Sequence, residues 1–156
     1  MYIQMPYGVI KQSQSKPFFN TLPEQTEPQI TSMNEYLGIS LKRTTYAYNK
    51  FDAIDTENKT LLECKHRTVY HNTYDTTIIG LNKYSVYLAQ YPDWDFYVSF
   101  LFRDGLYIYQ FDKTKTLDEQ GLYTSTKKYN KMITNGFVKE HINIPITKLV
   151  KIADGF

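Results

Sequence analysis

Two short acidic segments hold the residues best suited to chemistry in this chain. Phe51-Asp52-Ala53-Ile54-Asp55 is followed, after the polar stretch Thr56-Glu57-Asn58-Lys59, by Leu61-Leu62-Glu63-Cys64-Lys65. The runs Lys50 to Asp55 and Thr60 to Arg67 read as β-strands joined by a tight hairpin connection. Side chains on a strand alternate faces, so Glu63 and Lys65 project from one side, about 7 Å apart along the chain, while Leu62 and Cys64 project from the other. A turn of two residues (Glu57, Asn58) or of four (Thr56 to Lys59) puts Asp52 directly opposite Glu63, with Cβ atoms about 5 Å apart. A three-residue turn sends Asp52 to the opposite face, unless a bulge compensates.

Two carboxylates this close repel one another, and burial on a sheet adds desolvation cost. Something positive must sit between them. Lys65 offsets one charge, while a hard divalent cation such as Mg²⁺ or Mn²⁺, which takes oxygen ligands and keeps several waters, could bridge both. Such an ion would bind a phosphate oxygen, promote deprotonation of a bound water and stabilise transition-state charge, with the Lys65 ammonium orienting the water. The chemistry implied is phosphodiester hydrolysis. Asp55 is the rival for Asp52, but it lies three positions farther along the ladder, roughly 10 Å, too far to share one ion.

The elements that must position these groups follow from pattern. Residues 1 to 29 carry four of the six prolines and read as an extended arm, so that residues 1–30 precede a single domain over 31–156. Ser32 and Glu35 match a capping box and Gly38 supplies a stop, which predicts a helix over about 32–37. Ile39 to Tyr48 reads as a strand. Asp75, Thr76 and Thr77 are placed to cap a helix running to about Gln90, with Leu81, Tyr84 and Leu88 at helical spacing and Pro92 beyond its end. Phe96 to Phe102 and Leu106 to Phe111 flank Arg103-Asp104-Gly105, a hairpin signal. Phe137 to Ile144 reads as a strand and Pro145 to Ile152 as a last turn of helix or strand.

Asp52, Glu63-Cys64-Lys65 and the order helix, strand, acidic strand, Glu-x-Lys strand, helix, strand together resemble the PD-(D/E)xK nuclease superfamily, over roughly residues 31 to 102. Phe51 stands where the family's nominal proline would be. The resemblance implies an α/β fold, an αβββαβ restriction-endonuclease-like core whose mixed central sheet is flanked by helices. It makes Asp52 and Glu63 metal ligands for Mg²⁺ or Mn²⁺, the backbone carbonyl of Cys64 a further ligand and Lys65 the catalytic lysine, with Glu35 placed to join from the first helix. The activity it implies is a metal-dependent nuclease on DNA. So small a chain leaves little outside the core for reading base sequence, which favours recognition of a structure, end or branch. A homodimer would allow paired cuts.

Around this centre Lys42, Arg43, His66 and Arg67 are candidate phosphate contacts, and Lys83 on the second helix is a candidate near the scissile phosphate. Lys127, Lys128 and Lys131, interleaved with Tyr123 and Tyr129, form a basic aromatic stretch suited to a nucleic-acid backbone or to a plain surface loop. His71 and His141 lack zinc-like spacing with Cys64. Two other classes compete with the nuclease: a non-catalytic nucleic-acid-binding module on the same fold, and an interaction domain in which Asp52, Glu63 and Lys65 form a satisfied polar cluster.

Composition bounds these readings. The chain has 156 residues, 42% hydrophobic and 22% charged, which excludes wholly disordered, collagen-like and coiled-coil classes. A formal net charge of +2 is too small to announce nucleic-acid binding by itself. Fifteen tyrosines and nine phenylalanines suit half-buried strands or base stacking. No apolar run reaches the roughly 20 residues of a membrane helix, and no secretory signal pattern opens the chain. With Cys64 as the single cysteine, the expectation is a cytoplasmic or nuclear protein, not a secreted one.

Overall fold

A computed structural model describes residues 23–44, 50–128 and 138–155. Its elements run α1 (Pro23–Leu37), β1 (Lys42–Arg43), β2 (Ala53–Asp55), β3 (Thr60–His66), β4 (Thr76–Gly80), α2 (Leu81–Gln90), β5 (Asp95–Phe102), β6 (Gly105–Gln110), β7 (Tyr123–Lys128), β8 (Val138–Pro145), a 3-10 turn (Ile146–Lys148) and β9 (Val150–Ala153). Six strands form a mixed sheet in the order β1-β2-β3-β5-β6-β9, and a smaller sheet has the order β4-β8-β7. Within the larger sheet β3 and β5 run parallel and every other neighbouring pair is antiparallel. Parallel pairing needs a crossover, supplied here by β4 and α2.

The central strands read as near-continuous apolar runs because both faces of the sheet are covered. On one face α1 lays Ile30 and Met33 against Leu62, Cys64, Tyr97 and Ile108. On the other, Leu61, Phe96, Val98 and Phe100 meet Tyr84 and Tyr87 of α2 and Ile79, Ile142 and Ile144 of the smaller sheet. Phe96 is the hub of the second layer, with ring centroids 4.9 Å from Phe111, 5.1 Å from Tyr87 and 5.2 Å from Phe51.

Four sequence expectations are corrected. The helix predicted over 32–37 begins at Pro23, so residues 23–30 are helix and not an extended arm, and Ser32 and Glu35 lie in its interior instead of forming a cap. Pro23 is tolerated because the first turn has no N–H partner to lose. Pro28 costs one internal bond, which the buried stripe Thr26, Gln29, Ile30 and Met33 offsets by packing on the sheet. The predicted strand over 39–48 reduces to Lys42–Arg43 among the described residues; Tyr46 and Tyr48 lie outside them, as do residues 1–22, Tyr129, Lys131 and Phe137. Asp75 caps no helix: Thr76–Gly80 is a strand paired with β8, and α2 starts only at Leu81. The four β-branched residues Thr76, Thr77, Ile78 and Ile79 lose rotamer freedom on a helix and favour the pleat instead. Tyr123–Lys128 is likewise a strand, its residues paired one for one with β8.

Replacing Phe96 by alanine is expected to cost about 3–5 kcal/mol in equilibrium urea unfolding. A loss below about 1 kcal/mol would remove Phe96 from the centre of this layer.

Candidate functional site

The Thr56–Lys59 turn holds four residues, and β2 pairs with β3 as Ala53↔Leu62, Ile54↔Leu61 and Asp55↔Thr60. Asp55 builds that turn. Its carboxylate accepts the Asn58 side-chain amide at 2.8 Å, the Asn58 N–H at 3.0 Å and the Ser40 N–H at 2.8 Å. These bonds, the Asn58 amide foremost, outweigh burial and hold its carboxyl below the ordinary value. Asp55 also shares the α1 side of the sheet with Ala53, away from Glu63, so it is no rival to Asp52.

The regular ladder stops at Ala53. The Asp52 N–H donates to Leu62 O at 3.0 Å although Leu62 pairs with Ala53, so two residues of one strand meet one of the other, the arrangement of a β-bulge. Asp52 therefore does not stand directly opposite Glu63 as the turn length alone predicts. Its Oδ2 lies at the edge of β3, accepting the Cys64 N–H at 2.8 Å, and its charge bears on both Glu63 and Cys64. In a strand the N–H and C=O of one residue point to the same side, so the Cys64 carbonyl faces that same edge. Burial raises the Cys64 thiol well above its ordinary value, which leaves it no thiolate for nucleophilic work.

Glu63 is 4% exposed. Its Oε2 is 3.1 Å from Lys65 Nζ, and its Oε1 is 3.5 Å from Lys83 Nζ, brought in by the first turn of α2. Lys83 also donates to Lys50 O. Oε1 is buried and receives no hydrogen bond among the described residues. Burial pushes the Glu63 carboxyl above its ordinary value; Lys65 opposes this, Asp52 reinforces it and Lys83 opposes it again. The lysines are partly open, with side chains 20% (Lys65) and 25% (Lys83) exposed.

The remaining candidates divide. Glu35 is exposed; the α1 side chains that hydrogen-bond to β3 among the described residues are Gln29, which donates to Lys65 O at 3.3 Å and accepts from Ser99 Oγ at 2.6 Å, and Gln25, bonded to His66 Nδ1 at 3.0 Å. Both lay in the stretch read as an arm, and only recognition of the apolar stripe beginning at Thr26 would have found them. His66 thus faces α1. Arg67 lies over the Phe100 ring at 5.7 Å and donates to Ile78 O at 2.7 Å, so its guanidinium is committed to main chain and aromatic surface. Arg43 pairs with Glu27 on α1 at 3.8 Å. Lys42 is exposed on edge strand β1. Lys127 and Lys128 belong to β7, their side chains outside the described residues.

The protein is an α/β domain with a mixed central sheet and, among the described residues, two helices. Compared with family models, with curated proteins and with solved structures, the chain matches none. Among the described residues no helix is long and apolar enough to cross a membrane, and no group of three or more His, Cys, Asp or Glu side chains is gathered for a metal.

Glu63 should titrate above 4.5 by carboxyl NMR, and Lys65→Gln should move it higher, since one opposing cation is gone. Because the folded value exceeds the unfolded one, ionising Glu63 costs stability as pH rises from about 4.3 through the folded value, and Glu63→Gln should flatten that part of the stability profile. A midpoint at or below 4.5, or one indifferent to Lys65, would contradict the burial argument.

Proposed function

We propose that this protein is a metal-dependent nuclease that hydrolyses phosphodiester bonds, on DNA and with selectivity for structure over base sequence. The observation that carries the reading is a buried carboxylate, Glu63, with one oxygen that receives no hydrogen bond among the described residues, held beside Lys65 and within electrostatic reach of Asp52. The order helix, three antiparallel strands, helix and a strand returning parallel to the third supports a restriction-endonuclease-like core, with β4 as an insertion before α2 and the β4-β8-β7 sheet as an addition.

The residues present fit a hard cation. Asp52 keeps one carboxylate oxygen that takes no hydrogen bond among the described residues, Glu63 offers Oε1, and the Cys64 carbonyl faces the same edge; two carboxylates with waters and substrate oxygens suffice for Mg²⁺ or Mn²⁺. Bound there, the ion would supply Lewis-acid polarisation of the phosphate and a more acidic water. Lys65 holds the attacking water by hydrogen bonding and stabilises charge growing on the phosphoryl oxygens, in a position fixed by Glu63. Lys83, anchored by Lys50 O, adds positive charge on the other side of Glu63 and attracts the substrate phosphate.

One observation favours the interaction-domain reading: Asp52, Glu63, Lys65 and Lys83 sum to zero charge, so the cluster is balanced without an ion. Calorimetric titration with Mn²⁺ separates the two, because a satisfied cluster has no reason to bind the ion at Asp52 and Glu63.

The decisive assay incubates linear, circular, branched and single-stranded DNA, and RNA, with and without Mn²⁺. Glu63→Gln and Lys65→Ala should each lower cleavage about 100- to 1,000-fold with unchanged circular dichroism. Full activity in either purified, folded variant would end the proposal.

A further inference from the structure

At one end of the larger sheet the connection from β3 to β4 is clamped onto the β5–β6 turn. Asp104 accepts the backbone N–H of His71 at 3.0 Å and meets its ring Nδ1 at 2.5 Å. The imidazole stacks on Tyr107 at 4.6 Å between centroids, and the Tyr107 hydroxyl donates to the same carboxylate at 3.4 Å. Burial would raise the Asp104 carboxyl, but the bonds from His71 outweigh it and hold it below its ordinary value. The Arg103 N–H donates to Val69 O at 3.0 Å, and the Thr73 N–H closes a turn on Tyr70 O at 3.1 Å.

This well-anchored loop displays two tyrosines that the core does not use. Tyr70 is 51% and Tyr74 66% exposed. The Arg103 guanidinium lies 5.9 Å from the Tyr70 ring centroid, is exposed and makes no ion pair among the described residues. A rigid loop carrying aromatic faces beside an unpaired cation matches a ligand that has flat rings and negative charge together. The loop also lies close to the carboxylate cluster. Lys65 pairs with Phe100, and Phe100 with Tyr107, so the ring under His71 stands two strand spacings from Lys65 on the same face, roughly 10 Å.

We propose that Tyr70 and Tyr74 stack unpaired bases of a nucleic-acid strand while Arg103 meets its backbone, the His71–Asp104 clamp holding the loop in place. Bases in a duplex have their faces covered by neighbours, so this contact selects a single-stranded segment adjoining the cut. Preorganisation by the clamp lowers the ordering cost of binding. The role in cleavage rests on the nuclease reading; the contact itself does not.

The test is fluorescence anisotropy in EDTA with a labelled oligothymidylate and a blunt duplex, on the full chain and on Tyr70→Ala/Tyr74→Ala and Arg103→Gln. Single-strand affinity should fall about tenfold for each ring removed, with duplex affinity unchanged, and Arg103→Gln should lower the salt dependence by about one phosphate contact. Single-strand affinity unchanged in the double variant, equal losses on both probes, or no binding by the full chain would each overturn the contact. Cleavage by the full chain together with unchanged single-strand binding in the variants removes this inference alone. Tyrosine-dependent binding without cleavage removes the nuclease alone.

Discussion

Keeping the Glu63 carboxylate inside the sheet is the constraint on which the rest of this structure turns. Taking a carboxylate out of water costs several kcal/mol even after relaxation, and a nearby Asp52 raises that cost. Two ammonium groups oppose it, and each arrives by a different route. Lys65 is delivered by strand periodicity, two residues along the same face. Lys83 is delivered by topology, because α2 must return over the sheet for β5 to lie parallel to β3. A shorter crossover would leave Glu63 with one cation and a larger penalty.

The opposite face shows what a merely structural polar group looks like here. Gln29 is fully buried, yet it donates to Gln25 O and Lys65 O and accepts from Ser99. Its neutral network fixes the main chain of β3 at Lys65 from behind, as buried polar groups with complete partners do. Glu63, on the front of the same strand, is charged and incompletely bonded. One strand thus carries a closed network on its α1 side and an open one on its α2 side, and the backbone at Lys65 belongs to both.

How much of this was legible in the sequence depended on the range of the interaction. The hairpin was legible because Asp55 and Asn58 build its turn from residues three apart, and that turn fixes the register of β2 on β3. The bulge at Asp52 was not, because it depends on how the chain enters β2. The first helix was obscured by Pro23 and Pro28, whose local cost is offset by contacts with strands far along the chain. The β4 strand was obscured by Asp75-Thr76-Thr77, which imitates a cap until β8 supplies a pairing partner. Lys83 could be placed near the site from its position on the second helix, but its contact with Glu63 spans a crossover. The His71–Asp104 pair left no trace, since nothing in either segment marks the other.

The oxygen of Glu63 that takes no hydrogen bond among the described residues weighs against a purely structural cluster. Where an ion pair serves stability alone, apolar residues of similar volume often do as well or better, and a retained pair should at least saturate its hydrogen bonds. Here Lys83 stands 3.5 Å from Oε1 while donating to Lys50 O, so its ammonium is shared between two acceptors and fully serves only the main-chain one. On the proposed reading an arriving phosphate would draw it from Glu63, or an arriving cation would displace it, while the Lys50 bond survives, so Lys83 is the counter-charge to be replaced and Lys65, at 3.1 Å, the one that stays. Under the proposed function that difference has a use, since one cation holds the carboxylate while the other makes way for a ligand; a cluster with no ligand to admit has no use for it.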